Sequence, residues 1–251
     1  MKYTTILLDV DGTVVGRGSS PVGHNPRLQR NLIEFMGLGG VAGLVTGRSA
    51  EYTSAIHETF GLNGPRIVEK GAAVIFADGT EIKIGALENK EAITAFLKER
   101  GFLESMVLEP KNYMVSLVLP AFPHHSVEEL RAAYAKLEPQ FRNQNFANAD
   151  CMVDDHSIDI ENPNANKGEG ILTYIERMDK DLERTAIVGD SRGDLHGFEI
   201  VGGAGGLVVY VGLDRVFASQ LQRKFKNLLI TNCKRSDGLV EALETRILQN
   251  I

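Results

Sequence analysis

Ile6-Leu7-Leu8-Asp9-Val10-Asp11-Gly12-Thr13 is an apolar run that ends in two carboxylates and a Gly-Thr turn. Thr4 to Leu8 shows no helical period and is flanked by turn residues, as expected of a strand buried on both faces of a parallel sheet. Residues i and i+2 of a strand point to one side, so Asp9 and Asp11 at first sight share a face. Like charges that close cost free energy unless a cation or ligand offsets them, and active sites are where that cost is tolerated. The same residues also read as two Asp opening a turn, since Asp-Gly is a common turn dipeptide.

Working outward, Val14 to His24 is rich in Gly and Ser and reads as an irregular flap. Asn25-Pro26 gives an N-cap with proline at the first helical position of a helix to about Met36, ended by Gly37. Val41 to Val45 is a second buried strand, closed by Thr46-Gly47-Arg48-Ser49, and a helix from Ala50 to Phe60 stops at Gly61. A hydroxyl, a flexible backbone position and a guanidinium thus stand at a strand end beside a helix N-terminus, where anions are favoured. Thr46 or Ser49 serving only as a helix cap fits as well. Arg66 to Glu69 reads as a third strand and Gly71 to Ile84 as a hairpin turning at Asp78-Gly79. Lys70, between them, is either a solvated charge or a contact at the edge of a ligand site.

From Gly85 the order changes to helix (Glu88–Arg100), strands (Met106–Glu109, Met114–Leu119), helix (Ser126–Leu137, with Ser126 and Glu129 as a capping box) and strands (148–153, 157–160). That order suits a small antiparallel sheet covered by two helices, inserted between halves of the larger unit. The expected division is core 1–84, insert 85–160 and core 161–251. The fold class is α/β: a Rossmann-like parallel-sheet core with an inserted α+β domain. Lys167-Gly168 opens a helix to about Met178, and a cation there opposes the helix dipole; a ligand phosphate or a carboxylate cluster would account for it, and a fully solvated lysine fits as well. Thr185 to Val188 is a buried strand ending in Gly189-Asp190-Ser191-Arg192-Gly193-Asp194. Leu207–Val211 and Leu228–Ile230 are further core strands, and a helix from about Gly238 to Leu248 closes the chain.

The 251 residues are 43% hydrophobic and 24% charged, with net charge −6, which is ordinary for a globular protein and argues against nucleic acid or an anionic membrane as partner. Cys151 and Cys233 cannot form a disulfide framework and read as reduced. No apolar run approaches the roughly 18 to 20 residues of a membrane span, and no signal peptide is read before the acidic stretch, so a cytoplasmic protein is expected. His124, His125 and His156 have no Cys or carboxylate completing a zinc spacing; His156 is kept as a substrate contact, with Arg142 a further guess.

In open parallel sheets ligands bind beyond the carboxyl ends of the strands, so the clusters at Asp9/Asp11, Thr46–Arg48, Lys167 and Asp190/Asp194 converge. Acidic groups at two ends suit Mg²⁺; a hydroxyl, a lysine and backbone N–H groups suit a phosphate. These are the ingredients of phosphoryl transfer.

The four clusters occur in the order and rough spacing of the motifs of the haloacid dehalogenase superfamily, which the chain resembles over essentially its whole length. The insert is similar to the α/β cap of the Cof-type and sucrose-phosphatase-like sugar phosphatases. Val68-Glu69-Lys70-Gly71-Ala72-Ala73-Val74 resembles their stretch before the cap, with Lys70 where Asn is usual. The resemblance implies a nucleophile at Asp9 that forms an aspartyl-phosphate, a general acid/base at Asp11, and a chain that turns between the two. It implies Mg²⁺ on the carboxylate of Asp9, the backbone carbonyl of Asp11 and Asp190, with Asp194 beside it. It places the phosphoryl oxygens on Thr46, Gly47 and Lys167, and Arg48 where cap and core meet. Gly193 stands where the family commonly has Asn, and Lys70 adds a charge that favours a second anionic group on the substrate. The implied activity is a Mg²⁺-dependent phosphatase for a small phosphorylated metabolite, a sugar phosphate or a phosphorylated organic acid. A phosphomannomutase-like mutase and a non-catalytic phosphometabolite-binding protein are the alternatives.

Overall fold

The computed structural model describes residues 2–16, 25–120, 126–154 and 156–250. The chain begins with β1 (Thr5–Leu8), α1 (Pro26–Gly37), β2 (Val41–Val45), α2 (Ala50–Phe60), β3 (Arg66–Val68), β4 (Ala73–Ile75) and β5 (Glu81–Lys83). Next come α3 (Lys90–Glu99), β6 (Val107–Glu109), β7 (Val115–Val118), α4 (Val127–Arg142), β8 (Asp150–Val153) and β9 (Ile158–Glu161). The last segment is α5 (Lys167–Arg177), β10 (Thr185–Gly189), α6 (Leu195–Gly203), β11 (Leu207–Tyr210), α7 (Arg215–Lys224), β12 (Leu228–Ile230) and α8 (Arg235–Ala242), which widens into a π-helical turn over Leu243–Ile247.

The chain divides into two units, Met1–Ile82 with Asn166–Ile251, and Lys83–Ala165. The second boundary sits where it does because Ala165 belongs with the insert. Its Cβ occupies the space beside Gly85, and its N–H closes a turn on the Asn162 carbonyl at 2.9 Å.

In the larger unit eight strands form one sheet in the order β12-β11-β10-β1-β2-β3-β4-β5. The neighbours from β12 through β3 are parallel and β4 runs antiparallel to β3. Ile6, Leu7 and Leu8 are fully buried, each worth about 1.5–3 kcal/mol of transfer free energy. Ile6 and Leu8 face a core with Leu28, Leu32 and Phe35 of α1, Ile56 and Phe60 of α2, and Leu239 of α8. On the other face Ile187 of β10 lies against Ile171 of α5 and the close-packed Gly197 of α6. Chain order runs outward from β1 in both directions, to β2 and β3 on one side and to β10 and β11 on the other. The C-terminal ends of β1 and β10 are therefore the switch point of the sheet, the place where such sheets bind ligands.

The insert is an antiparallel sheet, β6-β7-β9-β8. Val115, Leu117, Ile158 and Ile160 turn one face toward Ile93, Phe96 and Leu97 of α3 and Leu130, Leu137 and Phe141 of α4. The capping box of Ser126 and Glu129 is formed at 3.0 and 3.2 Å.

The structure differs from the sequence pattern in four places. α4 continues past Leu137 to Arg142 and takes Pro139 into its last turn. β3 ends at Val68, and Glu69 and Lys70 then take left-handed backbone conformations, φ 49° and 61°. α6 and α7 lie in segments the pattern leaves unassigned. The closing helix begins at Arg235 instead of Gly238. His124, His125 and the flap residues 17–24 lie outside the described residues. Among the described residues no helix is long and apolar enough to cross a membrane.

Candidate active site

The first carboxylate is placed by the end of a strand. Asp9 extends the β1–β10 ladder by one bond, its N–H donating to the Val188 carbonyl at 2.9 Å. The chain then leaves the sheet, because the Val10 carbonyl collects the N–H groups of Thr13, Val14 and Val15 at 3.3, 3.0 and 3.0 Å. Gly12 sits in this turn at φ 81°, a conformation that costs a residue with a Cβ about 1 kcal/mol or more. Alternation across a strand therefore does not govern the pair: Asp9 and Asp11 belong to different surroundings.

Asp9 is buried and meets two donors, Lys167 Nζ at 2.7 Å on Oδ1 and the Thr13 hydroxyl at 3.4 Å on Oδ2. Lys167 opens α5 behind its N-cap Asn166, whose side chain accepts the Glu169 N–H at 3.1 Å. It also reaches Asp194 Oδ1 at 2.6 Å. Asp194, 1% exposed, is the organiser of the β10 loop: its Oδ2 accepts the N–H groups of Asp190 and Ser191 at 3.1 and 3.0 Å and the Ser191 hydroxyl at 3.4 Å. That carboxyl fits only because Gly189 has no side chain, since a Cβ there would stand 2.3 Å from Asp194 Cγ. At Gly193 a Cβ would meet nothing closer than Ser191 Oγ at 3.5 Å, so nothing in the backbone demands glycine at that position.

Asp9, Asp190 and Asp194 each bring a carboxylate oxygen within 4.8 Å of the others. Among these four side chains, three acidic groups stand with one ammonium. Burial pushes the Asp9 carboxyl up to about 8; the Lys167 charge opposes this, while those of Asp194 and Asp190 add to it. For Lys167, burial favours the neutral amine but is outweighed by Asp194 and Asp9, so the group is held above the ordinary lysine range. A set of hard oxygen donors fits a divalent cation. The Asp11 carboxylate stands outside this set.

Asp11 is paired with Arg48. Nε donates to Oδ2 at 2.6 Å and Nη2 to Oδ1 at 2.7 Å. Arg48 is held by its backbone, its N–H on Thr46 Oγ1 at 3.2 Å and its carbonyl accepting Glu69 N–H at 3.0 Å. Its guanidinium lies 4.8 Å from the Tyr52 ring centroid, on α2. Lys70 N–H donates to the Thr46 carbonyl at 2.9 Å, and Lys70 Cγ is 3.7 Å from where a Gly47 Cβ would stand. The left-handed Glu69–Lys70 step thus ties the end of β3 to the Thr46–Arg48 loop, at a strain of about 1–3 kcal/mol per residue.

Asp9, Asp11, Thr46, Gly47, Arg48, Lys70, Lys167, Asp190 and Asp194 all belong to the larger unit. His156 and Arg142 belong to the insert. There the His156 N–H donates to Asp154 Oδ1 at 2.6 Å and Arg142 pairs with Glu138. Sequence reasoning passes over Thr13, Tyr52, Gly189 and Ser191. Tyr52 is the fourth residue after Arg48, and one helical turn is the spacing that could have found it.

A family model described as haloacid dehalogenase-like hydrolase matches residues 123–205. The phosphoglycolate phosphatase of Methanosarcina acetivorans is 27% identical over 97% of this chain and 96% of its own length. The phosphoglycolate phosphatase of Aeropyrum pernix is 23% identical over 94% and 90%. Among solved structures, a haloacid dehalogenase-like hydrolase from Bacteroides thetaiotaomicron superposes with a TM-score of 0.72 at 14% identity, covering 96% of this chain and 98% of its own. The sucrose-phosphatase of Synechocystis sp. PCC6803, solved with sucrose and phosphate, gives 0.63 at 16%, covering 97% and 98%. Motifs, switch-point geometry and these comparisons agree in one respect: the chain is similar to haloacid dehalogenase-like hydrolases in sequence over residues 123–205 and in fold over nearly its whole length.

Proposed function

We propose that the chain is a Mg²⁺-dependent phosphatase that hydrolyses a small phosphorylated organic acid through an aspartyl-phosphate on Asp9. The observation that carries this reading is the buried Asp9–Lys167–Asp194 cluster at the switch point, with the Asp11–Arg48 pair on the next turn of chain. The relatives named for phosphoglycolate hydrolysis support an acid in preference to a sugar.

Lys167, the Thr46 hydroxyl and the Gly47 N–H bind and orient the phosphoryl oxygens. An Asp9 carboxylate oxygen attacks phosphorus; the bond from phosphorus to the leaving oxygen breaks, and Asp11 gives that oxygen its proton. Water then loses a proton to Asp11 and attacks the same phosphorus, the bond to Asp9 breaks, and inorganic phosphate leaves. Asp9, Asp190 and Asp194 would hold Mg²⁺, which when bound supplies positive charge against the transferring phosphoryl group. Two carboxylates two residues apart thus take separate roles, because the turn at Val10 sends one to the ammonium and the other to the guanidinium.

The test is release of inorganic phosphate from p-nitrophenyl phosphate, 2-phosphoglycolate and a hexose phosphate, with and without Mg²⁺. Mg²⁺-dependent release with the acid preferred is the expected result. Folded protein that releases phosphate from none of them overturns the reading. Phosphate moving between hexose positions without release would make it a mutase.

A further inference from the structure

For Asp11 to serve a leaving group, one of its oxygens must face it, and in this structure both are engaged. Arg48 Nε and Nη2 hold them at 2.6 and 2.7 Å in the parallel two-bond geometry with which guanidinium recognises a carboxylate of any origin. The two backbones are pinned, that of Asp11 by the Val10 turn and that of Arg48 by Thr46 and Glu69. The Tyr52 ring backs the guanidinium. Parting the pair would fall to rotation of the two side chains. Its side chains are 19% and 26% exposed, so a small solute reaches them.

We propose that Arg48 is the carboxylate receptor of this site, and that a substrate carboxylate takes the place of Asp11 in the fork and so releases Asp11 to the leaving oxygen. This rests on the phosphatase reading and narrows its substrate class to phosphate esters of 2-hydroxy acids. The span sets the class. Arg48 and Asp11 are in contact, so the group held by one and the oxygen served by the other must lie close together in the same ligand. In the ester of a 2-hydroxy acid one carbon separates the carboxylate from the ester oxygen. A hexose phosphate presents neutral hydroxyls there, which cannot replace a carboxylate across both N–H donors. Arg48 is thereby the specificity-determining residue, and binding of the correct substrate frees the Asp11 carboxylate to take up a proton from solvent, which it then delivers to the leaving oxygen.

The experiment compares 2-phosphoglycolate with ethyl phosphate, which has a methyl group in place of the carboxylate, and uses p-nitrophenyl phosphate to report the phosphatase itself. The wild type should prefer 2-phosphoglycolate by about 10²-fold or more in kcat/KM, with part of the factor in kcat. In Arg48→Gln the preference should fall to within about 10-fold, with 2-phosphoglycolate losing and ethyl phosphate holding or gaining. A preference retained in Arg48→Gln, or both substrates falling by one factor, overturns the proposal. Should Arg48→Gln not fold, formate added to wild type with methyl phosphate supplies carboxylate and ester separately. Saturable activation supports the exchange; inhibition or no effect overturns it. Wild type without p-nitrophenyl phosphate turnover fails the phosphatase reading instead, whereas turnover without the preference for the acid fails only this proposal.

Discussion

Asp9 and Asp11 are two residues apart and each holds a cation, yet the two arrangements have opposite physics. Around Asp9, Lys167 and Asp194 the charges are buried, and the ammonium touches two carboxylates that are themselves tied to backbone and hydroxyl groups. Around Asp11 the Arg48 guanidinium meets the carboxylate with both groups partly exposed. A buried cluster is expensive to disturb because removing one member leaves the others desolvated and unmatched. A partly exposed pair keeps some contact with water, so parting it costs less than parting the buried cluster. The difference teaches that one end of the turn is built to stay and the other to move.

The comparison can be broken or sharpened by experiment. Asp9→Asn should remove the proposed nucleophile and lower phosphate release by about 10⁴-fold or more. In kcat/KM, which reads the steps through departure of the leaving group, Asp11→Asn should lose about 10²–10⁴-fold with an alkyl phosphate and much less with p-nitrophenyl phosphate, whose leaving group needs little protonation; kcat should fall for both, since Asp11 also takes the proton from water. Equal losses of kcat/KM with both substrates in Asp11→Asn would erase the division of roles. In urea unfolding, Lys167→Met should cost about 3–5 kcal/mol by leaving the buried carboxylates without their counter-charge. If Lys167→Met unfolds at the wild-type midpoint, the cluster is not the rigid element described.

Divalent cation comes next in size. At about 100 times its dissociation constant Mg²⁺ should stabilise the fold by about 2.7 kcal/mol, and Asp190→Asn should lose that gain. The pH dependence has a defined sign. Asp9 is raised to about 8 by burial, so the metal-free fold binds more protons than the unfolded chain. Its contribution is present below the ordinary carboxylate range and is lost as pH rises toward about 8. Metal-free protein should therefore lose stability across that window, and Asp9→Asn should flatten the slope; a slope unchanged in Asp9→Asn would assign it elsewhere. Smallest of all, Asp11→Asn should shift unfolding by less than Lys167→Met does, since its partner Arg48 keeps some contact with water.

Much of this was legible from residues alone wherever a local rule acts. Ser49 and Gly61 bracket α2 at Ala50–Phe60 as the capping residues require, with Gly61 left-handed at φ 62°. Asn25-Pro26 starts α1 in the same way. The convergence of Asp9, Thr46 and Asp190 follows from parallel strands whose C-terminal ends lie side by side, and Lys167 joins them from the N-terminus of α5. α6 was hidden because Leu195–Gly203 carries three glycines and no polar stripe. α7 did carry its signal, an Asp214 side chain that accepts the N–H groups of Val216 and Phe217, and Phe217 and Leu221 one turn apart on its buried side. The Arg48–Asp11 fork and the left-handed Glu69–Lys70 step depend on contacts between segments far apart in sequence, which no local pattern encodes.

Gly189 carries a consequence of its own. The space its missing methyl leaves is filled by the carboxyl of Asp194, and that carboxyl is half of what balances Lys167. Gly189→Ala adds no charge and removes none, yet it would evict an anion from the ammonium's coordination. At this position a change of shape is a change of electrostatics, and it reaches Asp9, at the end of the neighbouring strand, through the ammonium that Asp9 shares with Asp194.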